Sequence, residues 1–200
     1  SYILLESNTG TVITEKDADV QMPPASITKI MTLLLVMEAV DSGKISMEDT
    51  ITVSEHASSM GGSQIWLKEG EQMALTDILK AAVVSSANDA SVALAEHVAG
   101  SEESFVNMMN ERAAQLGMKN TVFHNASGLD TEGHVSSARD IAIMAQELLK
   151  HPRILDYTTI WMDTLRGGAT ELVNTNKLIR FYEGATGLKT GTTEDAGYCL

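Results

Sequence analysis

The chain has 200 residues, a formal net charge of −13 and a single cysteine. With 44% hydrophobic residues and a mean hydropathy of −0.02, it is sized for one globular domain with a sizeable core. The acidic balance, with no basic stripe, excludes a nucleic-acid partner, and a lone Cys199 excludes an internal disulfide and a thiolate metal site.

In chain order, YILLE (2–6) and TVITE (11–15) flank the turn SNTG and predict a β-hairpin. MPPASITKIMTLLLVMEAV (22–40) predicts a buried helix from about residue 25 to 40: prolines sit at its start, apolar residues fill nearly every position, and Asp41-Ser42-Gly43 stops it. Residues 43–75 are mixed, with a strand-like DTITVSE and the loop SSMGGSQIWLKEGEQM. Further helices are expected over 75–84, with Thr76 as N-cap, over 89–100 ended by Gly100, over 101–117 with capping chemistry at Ser101 and Ser104, and over 136–150 stopped by Pro152. In the last, Ser136 or Ser137 with Asp140 reads as a cap. After residue 157 the text turns to strands: TTIWMD, then GLKTGTT and AGYCL around the turn TEDAG. Strands at both ends with helices between them predict an α+β fold, in which the end strands share one antiparallel sheet and the buried helix packs on it. No apolar run is long enough to cross a membrane.

One feature of the buried helix is chemical. Ser26 and Lys29, spaced i and i+3, lie on one helix face, and burial favours the neutral amine of a lysine. A hydroxyl beside such an amine is a nucleophile beside its base. Roughly one S-x-x-K pair is expected by chance in a chain of this length, and a lysine near a helix start commonly extends to water. Two more polar clusters follow. Ser86-Ala87-Asn88 falls between two helices and also reads as a cap. Lys189-Thr190-Gly191 falls on a predicted strand and also reads as a strand ending in a glycine turn.

The three clusters occur in the order S-x-x-K, S-x-N, K-T-G, a combination that marks penicillin-binding proteins and class A β-lactamases. PPASITKIMT, VVSSANDAS, HVSSARD and GLKTGTTEDAGYCL each resemble segments of the low-molecular-mass penicillin-binding proteins of the D-alanyl-D-alanine carboxypeptidase type, and the likeness spans nearly the whole chain. The resemblance implies a serine β-lactamase/DD-peptidase-like fold: one catalytic domain over 1–200, with a sheet part about 1–42 and 158–200 and a helix-rich part about 43–157. It implies Ser26 as the acylated nucleophile, Lys29 as proton acceptor, Ser86 as proton relay and Asn88 as ligand of the substrate's peptide amide. Lys189 and Thr190 would anchor its terminal carboxylate, and the backbone N–H groups of Ser26 and Thr192 would form the oxyanion hole. Gly191 has a physical reading of its own, since a side chain there would crowd the gap between strand and helix. Implied partners are a peptidoglycan stem peptide ending in D-Ala-D-Ala and β-lactams as covalent inhibitors, with no cofactor and an extracytoplasmic location.

The segment TVFHNASGLDTEGHVSS lacks the E-x-x-L-N pattern that a deacylating class A β-lactamase would carry, and ELVNTN (171–176) lies too near the K-T-G strand. This favours the peptidase over the β-lactamase. A domain that senses penicillin or binds peptidoglycan without turnover is the alternative of another class. The five histidines show no H-x-x-x-H or similar ligand pair and are expected in loops or at the surface. The methionines are expected as core filler. Trp66 either edges a cleft or pins its loop, and pinning is the favoured expectation. By family resemblance a further strand and helix are expected after AGYCL. A targeting segment and any membrane anchor are likewise expected outside this chain.

Overall fold

The computed structural model describes residues 1–200. Strands β1 (Tyr2–Leu5) and β2 (Val12–Lys16) form the expected first hairpin. A 3-10 turn, Ala25–Thr28, leads into α1 (Lys29–Asp41). Next come β3 (Thr50–Thr52), α2 (Glu55–Ser58) and β4 (Gln72–Ala74), with β4 antiparallel to β3. Helices α3 (Leu75–Val84), α4 (Asn88–Ala99), α5 (Glu102–Gln115) and α6 (Ala138–Leu148) then supply much of the core, followed by the short α7 (Leu155–Thr158). The chain closes with the hairpin of β5 (Met162–Leu165) and β6 (Thr170–Val173), a single turn α8 (Leu178–Phe181), and the hairpin of β7 (Gly191–Thr193) and β8 (Gly197–Cys199).

Helix α1 is the axis of the fold. Every residue from Lys29 to Met37 is buried, with α6 and α4 packed against it. Burying an aliphatic side chain contributes about 1.5–3 kcal/mol. The run Ile30, Met31, Leu33, Leu34, Leu35, Val36 and Met37 therefore offsets the cost of taking Lys29 out of water. The other caps follow local chemistry. Ser101 accepts from Ser104 N and Ser137 from Asp140 N, and Gly100 ends α4 in the left-handed region at φ 84°.

Two expectations fail. Thr76 is not an N-cap: β4 runs directly into α3, whose first residue donates from Leu75 N to the Asp49 carbonyl. The end strands do not share a sheet either, because each hairpin pairs only with itself. Both line a cavity of about 470 Å³, to which Tyr2, Ile3, Met22, Ile27 and Tyr198 contribute. Alternation within a strand specifies its buried face but not its neighbour.

Candidate active site

The 3-10 turn delivers Ser26 to the head of α1. Ala25 just before it has φ 47°, a strained conformation for a residue with a Cβ, and such strain concentrates at functional sites. Lys29 is completely buried. Its Nζ lies 2.7 Å from Asn88 Oδ1, 2.6 Å from the Ser127 carbonyl oxygen and 3.2 Å from Ser26 Oγ. The Asn88 amide orientation follows from its other end, where Nδ2 donates to the Gly61 carbonyl at 2.8 Å. A neutral amine has two N–H donors and one lone pair. Two of its neighbours here only accept, at short range, and the third is a hydroxyl that can donate. The three contacts accommodate a cation that donates to all of them as well as an uncharged amine with its lone pair toward Ser26, and it is complete burial that favours the uncharged form. Burial pushes the Lys29 pKa well below the ordinary lysine value, the nearby Lys189 cation adds to this, and Asp89 opposes it.

Ser86 and Asn88 come from the junction of α3 and α4. Ser86 has φ 59°, and its Oγ is buried without a hydrogen-bond partner. A strained residue holding an orphan hydroxyl is costly in a purely structural role. Asn88 N donates to the Ser63 carbonyl at 2.7 Å, which ties the glycine-rich loop to the same junction. Asp89, fully buried, accepts from Ile65 N at 3.1 Å and Leu67 N at 3.0 Å.

The opposite wall is the loop from His124 to His134, which sequence reasoning did not place in the site. Asn125 Oδ1 accepts from Ser127 N and Gly128 N. This Asx-type turn aims the Ser127 carbonyl at Lys29. Thr32 Oγ1 donates to the Ala126 carbonyl at 2.7 Å, and Glu102 accepts from Ala126 N at 2.9 Å. Gly128 packs so closely that a Cβ would fall 1.9 Å from the Ala25 carbonyl oxygen. His134, expected in a loop or at the surface, is buried, with Nδ1 accepting from His124 N and Nε2 2.8 Å from Thr28 Oγ1. Nε2 therefore carries the ring proton, and burial holds the pKa down at about 4, so the ring is a neutral strut. Sequence reasoning assigned this segment no role in the site, because nothing local signals which residue a backbone carbonyl will meet.

Strand β7 closes the site. A Cβ on Gly191 would lie 2.9 Å from Ser26 N, so only glycine lets the strand approach the Ser26 backbone, as expected. Lys189 is buried, its Nζ donates to the Thr190 carbonyl at 2.8 Å, and desolvation lowers its pKa to about 7. Thr190 Oγ1 donates to Thr175 Oγ1 at 2.8 Å, a contact that sequence reasoning did not anticipate.

A family model described as D-alanyl-D-alanine carboxypeptidase, peptidase S11, matches residues 1–200. The chain belongs to this family. It is 54% identical to the D-alanyl-D-alanine carboxypeptidase DacF of Bacillus subtilis (strain 168) over 203 residues, covering all of this chain and 52% of that protein. It is 38% identical to DacC of Escherichia coli (strain K12), again over 100% of this chain and 52% of the relative. The chain thus spans about half the length of the curated relatives it matches. Among solved structures, penicillin binding protein 5 from Haemophilus influenzae superposes with a TM-score of 0.92 at 35% identity, covering 98% of this chain and 58% of that one. Penicillin-Binding Protein D2 from Listeria monocytogenes, in its ampicillin bound form, superposes with a TM-score of 0.87 at 33% identity, covering 99% and 81%. These likenesses carry the DD-peptidase fold for this member of the family.

Within that fold the three motifs meet: Lys29 touches Ser26 and Asn88, and Gly191 abuts Ser26 N. Ser86 makes no hydrogen bond to either partner. Asn88 turns both ends of its amide to protein groups. Trp66 does not pin its loop: it is 72% exposed. Pinning falls to Asp89, which holds Ile65 and Leu67 on either side, and these two neighbours, both buried, turn the indole outward.

Proposed function

We propose that this chain is the catalytic domain of a serine D-alanyl-D-alanine carboxypeptidase, which removes the terminal D-alanine from peptidoglycan stem peptides and binds penicillins covalently. The observation that carries the reading is the surroundings of Lys29, which suit a neutral amine poised over Ser26 Oγ. Ser26 Oγ attacks the carbonyl carbon of the penultimate D-alanine, and its proton passes to Lys29 Nζ. The backbone N–H groups of Ser26 and Thr192 receive the oxyanion, each donor being worth about 3 kcal/mol. Collapse breaks the peptide bond, and the departing amine takes a proton through Ser86, whose unpartnered hydroxyl is free to turn. Water then cleaves the ester on Ser26. Asn88 holds the amine through Oδ1 and offers its second Nδ2 hydrogen to the substrate amide. Lys189 and Thr190 bind the terminal carboxylate, with Gly191 keeping the approach open. A β-lactam enters as a strained amide in the same position, a reading supported by the ampicillin bound form of the Listeria relative. The substrate class sets the location as extracytoplasmic, at the cell wall.

Incubation with benzylpenicillin followed by peptide mapping tests the assignment: the adduct is expected on Ser26 alone. An adduct on Ser86, or none, would overturn it. A penicillin-sensing domain would acylate but fail to release D-alanine from a D-Ala-D-Ala peptide, so turnover on that peptide separates the two.

Lys189 makes a second test through pH. Its free-state pKa of about 7 means that the cation able to meet a carboxylate is present below pH 7 and lost above it. Substrates with a free terminal carboxylate are expected to show KM rising with pH above 7, by up to about tenfold per unit, while amidated analogues lack this rise. Lys189→Ala should erase the difference between the two. Equal pH dependence for both substrates in the unsubstituted chain would remove Lys189 from carboxylate recognition.

A further inference from the structure

Five residues other than glycine have positive φ, and apart from Asp17 they form two pairs. Ala25 and Ser86 border the catalytic groups, while Trp66 (φ 60°) and Arg166 (φ 52°) border a separate open concavity of about 600 Å³. Its remaining polar lining is Lys68, Glu69, Glu71 and Thr170. Arg166 builds the floor: its guanidinium donates to both carboxylate oxygens of Glu71 at 2.7 and 3.0 Å, to the Ile65 carbonyl at 2.8 Å and to Thr170 Oγ1 at 2.9 Å. These bonds fasten the β5–β6 hairpin to the Trp66 loop. Asp89 fixes the same loop from beneath, through Ile65 N and Leu67 N.

The result is a large aromatic ring held outward on a clamped, strained backbone. A tryptophan whose neighbours merely needed a turn would do better as glycine, and one needed for packing would be buried. A rigid exposed indole beside hydroxyl, ammonium and carboxylate groups has the chemistry of a saccharide platform. The axial C–H face of a pyranose ring is apolar and slightly positive and lies on the negative π face, while its equatorial hydroxyls and amide need hydrogen-bonding groups at the rim.

The position fits as well. Ser63, which bonds Asn88 N, precedes Trp66 by three residues, at most about 10 Å of chain. A stem peptide of about three residues ahead of its D-alanines spans a similar length. The loop that carries Trp66 thus leads away from the Ser86–Asn88 junction by a distance comparable with the length of the stem peptide.

We infer that Trp66 and the Arg166-floored concavity bind an N-acetylated hexosamine of the glycan strand that carries the stem peptide. This inference rests on the proposed function. The probe is chitotetraose, the β-1,4-linked tetramer of N-acetylglucosamine. In a Trp161→Phe background Trp66 is the sole indole, because the chain has two tryptophans. Its emission is expected to shift saturably with chitotetraose, and Trp66→Ala should weaken binding in equilibrium dialysis at least tenfold. On substrates, kcat/KM for a disaccharide-linked stem peptide should exceed that for the free peptide about tenfold, through KM, and Trp66→Ala should bring the ratio close to one. An unshifted Trp66 emission, or a ratio that Trp66→Ala leaves intact, would overturn the inference. Acylation of the unsubstituted chain by benzylpenicillin is measured alongside: its absence counts against the proposed function, whereas the chitotetraose titration judges the sugar site independently.

Discussion

Lys29→Arg is expected to lower the rate of Ser26 acylation by benzylpenicillin about a thousandfold, although the positive charge is retained. General-base assistance typically supplies about 10²–10⁴-fold, and arginine forfeits all of it. A guanidinium is protonated at any working pH and has no lone pair with which to accept the serine proton. The site around Nζ makes the demand specific. Once the amine is uncharged, Asn88 Oδ1 and the Ser127 carbonyl each take one N–H and its lone pair is left for Ser26, whereas arginine brings only more donors. Burial and the Lys189 cation depress the lysine's pKa, so at neutral pH much less of its cation must be discharged before it acts. Arginine is also larger, and overpacking a fully buried position costs about 1–3 kcal/mol. The measurement therefore normalises acylation to the folded fraction from urea unfolding. If the substituted chain kept its rate within tenfold, Lys29 would be acting through charge alone, and another group would have to take the serine proton.

The three motifs were legible in the sequence because each consists of neighbours: Ser26 and Lys29 lie one turn apart at the head of α1, Ser86 and Asn88 share one junction, and Lys189 and Thr190, expected on the strand itself, lead directly into β7. Their mutual order matched a known constellation, and the structure brings Lys29 to Asn88 and Gly191 to Ser26. The helices were legible from apolar periodicity and capping residues, Ser101, Ser137 and Gly100 among them. What stayed hidden depends on contacts across the chain. Ser127 enters the site through a backbone carbonyl, and a carbonyl carries no residue-type signal. Asp89 looked like a helix-start residue, and only the fold shows its carboxylate gripping Ile65 and Leu67 from 24 and 22 positions away. His134 lies in a loop as expected, but its burial was not legible, because burial of one imidazole leaves no periodic trace. The hairpin of β5 and β6 was only half anticipated, since TELV shows little alternation and its polar neighbours resemble a loop.

Gly128→Ala is expected to remove most of the acylation activity and a large part of the stability, whereas Gly43→Ala costs little. Both glycines occupy the left-handed region, Gly128 at φ 85° and Gly43 at φ 73°. An alanine at either position therefore incurs a conformational cost of about 1–2 kcal/mol. Gly43, beyond the end of α1, has nothing within 4 Å of an added Cβ, so the cost stops there. At Gly128 the added carbon would sit 1.9 Å from the Ala25 carbonyl oxygen and 2.4 Å from its carbon. Both atoms are main chain on the strained residue before Ser26, so the loop has to retreat by more than about an ångström. Its retreat carries the Ser127 carbonyl away from Lys29, breaking a 2.6 Å bond inside a fully buried site, and an unsatisfied buried donor costs about 1–3 kcal/mol more. The total approaches about 2–5 kcal/mol, against a typical domain stability of about 5–15 kcal/mol. Misplacing a catalytic group by about 1 Å can lower a rate about a hundredfold, and here Lys29, the proposed base, loses one of the two acceptors that orient it. Urea unfolding and benzylpenicillin acylation of the two variants, side by side, decide the matter. Equal losses in both would mean that the loop from 125 to 131 yields without moving Ser127, and that its carbonyl does not hold Lys29 in place.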